Sequence, residues 1–392
     1  PSVIVKGYLQ VGAYDERPEQ AGLAAFTAAA LMRGAANRAF ERIYEELESV
    51  GASAGVSGGT HTTGLGAKSL VEDLPLALDV LTDVLRRPTF PRDEVEKLRG
   101  EILTDLEERV HNTRRMAGLT FYELAYPEEH PYARSLSGYA ETISRLTRDD
   151  LSRFHAGGYG PQGMVVVIVG AVETAGALAQ VEDAFGDWAG PTYERAPLPE
   201  VPSISDVRER AVSIPGKTQS DLILGYPGPA RTEPDFLDAA VCNTILGVFG
   251  LMGRLGENVR EKQGLAYYSY SRVDGGPGPG PWRVIAGVNP ANVERAVASI
   301  RAEIRRICEE PVGEDELADN KAFITGSLPL RLETNGGVAG SILNMERYSL
   351  GLDYLQRYAN IIGAITAERV QTVAQRWLDP DAYALAVAGP PS

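Results

Sequence analysis

Two 24-residue stretches of the chain, TRDDLSRFHAGGYGPQGMVVVIVG (147–170) and TAERVQTVAQRWLDPDAYALAVAG (366–389), align without a gap, so that Thr147 meets Thr366, Pro161 meets Pro380 and Gly170 meets Gly389. In each copy a Thr with an acidic residue two or three places later caps a short helix, a Pro breaks the chain, and an apolar run ending at Gly forms a buried strand. A unit repeated in this way constrains the chain to a duplicated fold. Between the copies, GPTYERAPLPEVPSIS (190–205) carries four prolines and few apolar residues, the composition of an extended linker. The expected division is a domain over 1–190, a Pro-rich linker over 191–205 and a second domain over 206–392.

Other elements recur in the same order. The first half is expected to run through a helix at 21–33, a second helix closed by Gly51, two strands within 52–67, a helix over 70–86, and a helix introduced by Pro91. The second half opens with strands RERAVSIP and SDLILGYP and continues with the helix PDFLDAAVCNTILGV. A short helix closed by Gly264 follows, then strands LAYYSYSRV and WRVIAGV and long helices over 290–309 and 314–331. Clustered strands without strict βα alternation indicate an α+β fold of two duplicated domains, each a largely antiparallel sheet with helices packed on one face. The first half shows fewer leading strands, so Pro1 is expected to begin part way into the first sheet, with an edge strand absent from the given sequence.

Composition narrows the function classes. A net charge of -15 over 392 residues, with no basic stripe, argues against a nucleic-acid partner. The same charge keeps a protein soluble and favours a basic peptide over an acidic one as ligand. No apolar run reaches the roughly 20 residues of a membrane span, and the expected compartment is the cytoplasm. Cys242 and Cys308 lie in apolar helical patterns and are expected as buried free thiols.

Few residues are placed to carry chemistry. The histidines are His61, His111, His130 and His155, none spaced from another at i+3 or i+4 as two zinc ligands on one helix would be. Glu107 and His111 stand four apart and read as a solvated pair, and His61 and His130 read as structural or exposed. No G-x-S-x-G elbow, phosphate loop or C-x-x-C occurs, and the glycines of DGGPGPGP (274–281) alternate with prolines that lack the N–H groups of a phosphate cradle. The most specific stretch is MGRLGENVREKQGLAYYSYS (252–271), which puts Arg260 at the end of a helix and Tyr267 in the strand after the Gly264 turn.

That stretch resembles the C-terminal-half signature of the M16 (pitrilysin-type) zinc peptidases, R-L followed by V-R-E-K-x-G-L-A-Y. In the family, the arginine and the tyrosine seven residues later form a functional pair, matched here by Arg260 and Tyr267. The duplicated halves and the length resemble the two-domain M16B branch. The family's zinc helix has the frame G-L-A-H-F-x-E-H-x-x-x-x-G, in which two His bind zinc and Glu activates water. Here Gly22, Leu23, Ala24, Phe26 and Gly34 keep the frame, while Ala25, Ala28 and Ala29 stand where the first His, the Glu and the second His belong. For the third ligand Glu101, Asp105, Glu107 and Glu108 are at about the right distance along the chain. Without the histidines they could not hold zinc usefully, and the alanines serve helix packing.

The resemblance therefore implies a zinc-free subunit that is no peptidase alone. It would support metalloendopeptidase activity in a heterodimer with a homologous M16B subunit carrying H-x-x-E-H and the zinc, Tyr267 stabilising the oxyanion and Arg260 holding the substrate carbonyl. The alternative is an inactive scaffold or peptide-binding protein, as some respiratory-complex core subunits resemble the family without cleaving anything.

Overall fold

Residues 2–9 alternate in burial, Val3, Val5, Gly7 and Leu9 facing inward, and form strand β1 (Ser2–Leu9). The computed structural model describes residues 1–192, 194–248 and 253–391. After β1 come α1 (Leu23–Leu31), α2 (Phe40–Ser49), β2 (Ser53–Gly58), β3 (Thr63–Leu70), α3 (Leu74–Arg86) and α4 (Arg92–Arg109). The first half continues with α5 (Thr113–Ala125), α6 (Ala140–Arg145), α7 (Arg148–Gly158), β4 (Val165–Gly170) and α8 (Thr174–Phe185). The second half contains β5 (Arg208–Ser213), β6 (Ser220–Pro227), α9 (Phe236–Gly247), a π-helical turn (Gly256–Lys262), β7 (Ala266–Val273), β8 (Pro281–Val288) and α10 (Val293–Glu309). It ends with α11 (Glu314–Leu332), α12 (Asn335–Arg347), α13 (Tyr354–Gly363), α14 (Ala367–Trp377) and β9 (Ala384–Gly389).

The repeat holds in space. Helices α7 and α14 and strands β4 and β9 occupy matching positions of the two aligned segments. Thr147 Oγ1 accepts from the Asp150 amide and Thr366 Oγ1 from the Arg369 amide, the N-caps the sequence implied. The chain folds into two compact units. One comprises Pro1–Glu107, Ser135–Pro197 and Pro329–Leu352; the other comprises Glu108–Arg134, Leu198–Leu328 and the chain from Asp353 on. The linker over 191–205 divides the chain by composition, whereas the units divide it in space.

In the first unit the sheet order is β2-β3-β1-β4, antiparallel throughout, with Val5 opposite Ala67 on one side and Ile168 on the other. Its inner face buries Val3, Val5 and Leu9 with Leu65 and Ala67 against Phe26 and Leu31 of α1, Ile43 of α2 and Leu78, Leu81 and Leu85 of α3. On the outer face lies α12. Lys6 Nζ donates to the Gly336 carbonyl at 2.8 Å, and the Arg347 guanidinium sits 5.2 Å from the Tyr8 ring centre.

In the second unit the order is β5-β9-β6-β8-β7, with β5 parallel to β9 and the other pairs antiparallel. Leu222, Leu224, Val284, Ala286 and Val288 pack on α9, α10 and α14, while Ile223, Ile285, Ala384, Ala386 and Ala388 point the other way onto Ala117, Phe121 and Ala125 of α5. Most helices thus cover one face of each sheet. One further helix covers the opposite face, and in each unit it comes from the other half of the chain. Strand β5 has no counterpart among the described residues of the first sheet. Cys242 and Cys308 are buried and free.

Two histidines pack among aromatic rings. In the second unit His130 is fully buried between the rings of Tyr126 and Tyr132, and its Nδ1 accepts from the Tyr132 amide at 3.1 Å. The proton then sits on Nε2, which has no partner among the described residues. In the first unit His155 Nε2 lies 2.8 Å from the Leu85 carbonyl. Burial lowers both imidazoles below the usual value of 6.5, with Arg134 adding to the effect on His130. A lowered folded-state value means that the unfolded chain binds more protons, so stability is full above about pH 6.5 and falls as pH drops through and below it. Urea midpoints measured from pH 7.5 to 5 should decline, and His130→Gln should flatten that slope; an unchanged slope would refute His130 as a source.

Candidate functional site

In the second unit the residues Arg260 and Tyr267 stand on either side of a helix-to-strand turn. The helix is wound as a π-helix, so the Gln263 amide reaches back five residues to the Asn258 carbonyl at 3.1 Å, and past its end the Leu265 amide closes onto the Val259 carbonyl at 3.0 Å. Gly264 closes it at φ +60°, a left-handed conformation that glycine adopts without strain. Met252, at the start of the signature stretch, lies outside the described residues. Arg260 Nε is 3.6 Å from Glu261 Oε1, and the Arg260 guanidinium carbon is 6.0 Å from the centre of the Tyr267 ring. The two side chains that the sequence paired are therefore neighbours.

Tyr267 is the extra residue of a β-bulge. The register of β7 on β8 shifts between Ala266 and Tyr268, and β7 is the outermost strand of its sheet. A bulge re-aims the side chain it carries. Ala266 is buried in the core, Tyr268 turns to the α5 face, and Tyr267 projects outward, 77% exposed. Its hydroxyl makes no hydrogen bond among the described residues and so is available to a ligand.

Behind the bulge is an anchor that sequence reading missed. Asp221 on β6 is 3% exposed, and its carboxylate accepts from the hydroxyls of Tyr268 and Thr113 and from Gln219 Nε2. Gly287 on β8 lies between Asp221 and Tyr268 in the strand register. A Cβ there would fall 2.5 Å from Tyr268 Cε1, so only glycine lets the ring cross to the carboxylate. Arg114 of α5 covers the Tyr268 ring at 5.2 Å and donates to the Tyr270 hydroxyl. Burial first, and then the Asp221 carboxylate, push the Tyr268 phenol well above its usual range, so it stays a neutral donor. No local motif announces this group, because its members come from α5, β6, β7 and β8.

In the first unit the positions of the family's zinc frame lie on α1. Ala28 is fully buried, Ala25 and Ala29 are half-buried, and none offers a donor atom to a metal. The residues that keep the frame, Leu23, Ala24 and Phe26, are core residues. Glu101 is engaged by Arg33 at 2.5 Å, and Asp105, Glu107 and Glu108 are exposed. Among the described residues no group of three or more His, Cys, Asp or Glu side chains could hold a metal ion.

The N-terminus of α1 is capped by a carboxylate from outside the helix. Glu16, 7% exposed, accepts from the amides of Gly22 and Ala24, placing a negative charge at the positive end of the helix dipole. Replacing Glu16 with Ala should cost about 1–2 kcal/mol in a chemical denaturation experiment, the usual range for a lost cap; a change within a few tenths would show that water replaces the carboxylate.

Among the described residues no helix is long and apolar enough to cross a membrane. Comparison with known proteins places both halves in one family. Residues 2–137 match the family model for insulinase (peptidase family M16), and residues 145–323 match that for the peptidase M16 inactive domain. The chain is 30% identical over 340 residues to an uncharacterized zinc protease of Streptomyces coelicolor, covering 86% of this chain and 73% of that protein. It is 25% identical over 251 residues to subunit 1 of the mitochondrial cytochrome b-c1 complex of Rattus norvegicus, covering 63% of this chain and 51% of that one. Among solved structures, a peptidase M16 inactive domain from Pseudomonas fluorescens superposes with a TM-score of 0.91 at 26% identity, covering all of this chain and 94% of that one. With a C-terminal half of the inactive-domain type and an N-terminal half matched by the same family, the chain belongs to peptidase family M16.

Proposed function

We propose that this chain is the zinc-free subunit of a two-subunit M16 metallopeptidase and lends Arg260 and Tyr267 to the site of a homologous partner that carries the H-x-x-E-H helix. The observation that supports this reading most is the outward Tyr267 hydroxyl, held on an edge-strand bulge beside the Arg260 guanidinium and backed by a buried Asp221 anchor. Alanines at 25, 28 and 29 leave the three frame positions without a zinc-binding side chain, so on this reading the metal belongs to the partner. That zinc would supply the Lewis acid and the activated water.

This chain's part is electrostatic. As a peptide carbonyl is attacked, negative charge gathers on its oxygen, and a donor already aimed at that point stabilises the charge without reorganisation. Tyr267 donates the hydrogen bond, and Arg260 holds the carbonyl by charge-assisted bonding. The net charge of -15 favours a basic peptide as substrate. The test is hydrolysis of a peptide library, with bound zinc assayed alongside, by this chain alone, by a homologue carrying H-x-x-E-H alone, and by the two mixed. Activity confined to the mixture supports the reading, and a chain that neither binds the homologue nor changes its rate overturns it.

A second reading rests on the similarity to the cytochrome b-c1 subunit: a scaffold or peptide-binding protein with no proteolytic role. On that reading the chain binds peptides or a partner, and the mixture is no faster than the homologue by itself.

A further inference from the structure

A cleft of about 750 Å³ in the first unit, remote in sequence from Arg260 and Tyr267, is lined between the start of α4 and the α6–α7 turn by Arg92, Arg99, Arg145 and Arg148, with Glu96 and Asp149 the only carboxylates in its walls. In a chain of net charge -15 this local excess of positive charge runs against the rest of the molecule. Two of the arginines are framework. Arg148 donates from Nε to the Phe90 carbonyl at 2.7 Å and from Nη2 to the Thr89 carbonyl at 2.9 Å. Arg99 pairs with Glu96 at 2.9 Å and lies over the Phe26 ring at 5.3 Å.

The other two, Arg92 and Arg145, are exposed and make no hydrogen bond or ion pair among the described residues. Of the nearby carboxylates, Glu96 feels the charge of Arg92 but is bonded by Arg99, not by Arg92. Glu94 is taken by Lys97 and Arg33, and Asp150 by Arg153 and the Thr147 cap. The backbone adds donors of the same sense. The first intrahelical bond of α4 runs from the Val95 amide to the Pro91 carbonyl, so the amides of Arg92, Asp93 and Glu94 precede it and have no acceptor among the described residues. At the neighbouring α7 the corresponding end is closed by the reciprocal Thr147–Asp150 bonds.

We infer that this cleft binds the phosphoryl groups of a small polyvalent phosphate compound, Arg92 and Arg145 closing on oxygens that the α4 amides and the pinned Arg148 also face. Guanidinium groups match phosphate oxygens in a forked, charge-assisted geometry, and a helix N-terminus adds its dipole. The volume accommodates a ligand of nucleotide size. The site lies apart from the proposed peptidase role and stands whether or not that role holds.

The test is calorimetric titration of the full chain with sodium tripolyphosphate, with a nucleoside triphosphate and with phosphoserine, at 0.1 M salt. The wild type should bind tripolyphosphate or the nucleoside triphosphate saturably and more tightly than phosphoserine, and which of the two binds tighter identifies the source of the phosphate; saturable binding of phosphoserine alone would overturn the proposal. Arg92→Ala/Arg145→Ala should weaken that binding at least ten-fold. Arg42→Ala/Arg305→Ala removes the same charge from exposed ion pairs elsewhere and should bind as the wild type does. No saturable binding by the wild type, or equal losses in the two double variants, would overturn the site and leave only a diffuse electrostatic effect.

Discussion

Tyr267→Phe, mixed with a zinc-bearing homologue, should lower the rate of peptide hydrolysis by about 10²- to 10³-fold, the usual cost of removing one oxyanion donor. The substitution removes one oxygen from a side chain that is 77% exposed and bonded through that oxygen to nothing among the described residues, so thermal stability should be unchanged. The loss should fall on kcat with little change in KM, because the hydrogen bond is made fully only as charge develops. On the shared-site reading Arg260 already holds the bound carbonyl, so Arg260→Ala should raise KM as well. Tyr268→Phe separates chemistry from architecture: it keeps the Tyr267 hydroxyl but cuts the bond to Asp221, and should cost stability and activity together. A Tyr267→Phe mixture as fast as the wild type would remove the shared-site reading and favour the scaffold.

How much of this was legible depended on whether the signal was local. The repeat was, because a Thr cap, a Pro break and a Gly-ended apolar run keep their spacing in both halves, and α7–β4 and α14–β9 fall on it. Arg260 and Tyr267 were legible through their surrounding stretch, although the π-winding and the bulge that bring them together were not, since neither changes the apolar pattern. Helices α5 and α12 carry no comparable local signal. Gly336, Gly337 and Gly340 punctuate α12 and lower its intrinsic propensity, and only packing on the first sheet, with Lys6 donating to the Gly336 carbonyl, makes it a helix. That each covers a sheet built mainly from the other half is a long-range fact with no sequence periodicity behind it. The Asp221 anchor and the arginine cleft were invisible for the same reason, their members being brought together by tertiary structure alone.

Arg38→Ala should produce the largest stability loss of any single change considered, about 2–3 kcal/mol, because it removes the cation shared by three carboxylates, one of them fully buried and left with weaker compensation. Arg38 is 9% exposed and ties the turn after α1 to two helices: Nε reaches Glu46 of α2 at 2.7 Å, while Nη2 and Nη1 reach Asp79 and Asp83 of α3 at 2.5 and 3.4 Å. Asp83 is fully buried, with the Asn37 amide at 3.1 Å and the half-exposed Arg87 at 3.1 Å as its other partners. Without Arg38 a carboxylate is left in the core with only those two to balance it, whereas Asp79, 58% exposed, regains water and should contribute little. Removing both members, Arg38→Leu with Asp83→Leu, should recover most of the loss, since the cost lies in the stranded charge more than in the missing attraction. The Arg38 hydrogen bond also holds the Glu46 carboxyl below its usual value of 4.5, so this part of the stabilisation is present above about pH 4.5 and fades as pH falls through the lowered value. Urea unfolding of the three proteins at pH 7 decides the matter: a single variant within about 1 kcal/mol of the wild type would assign the group to the class of surface pairs, and a double variant as unstable as the single would mean that the loss comes from packing.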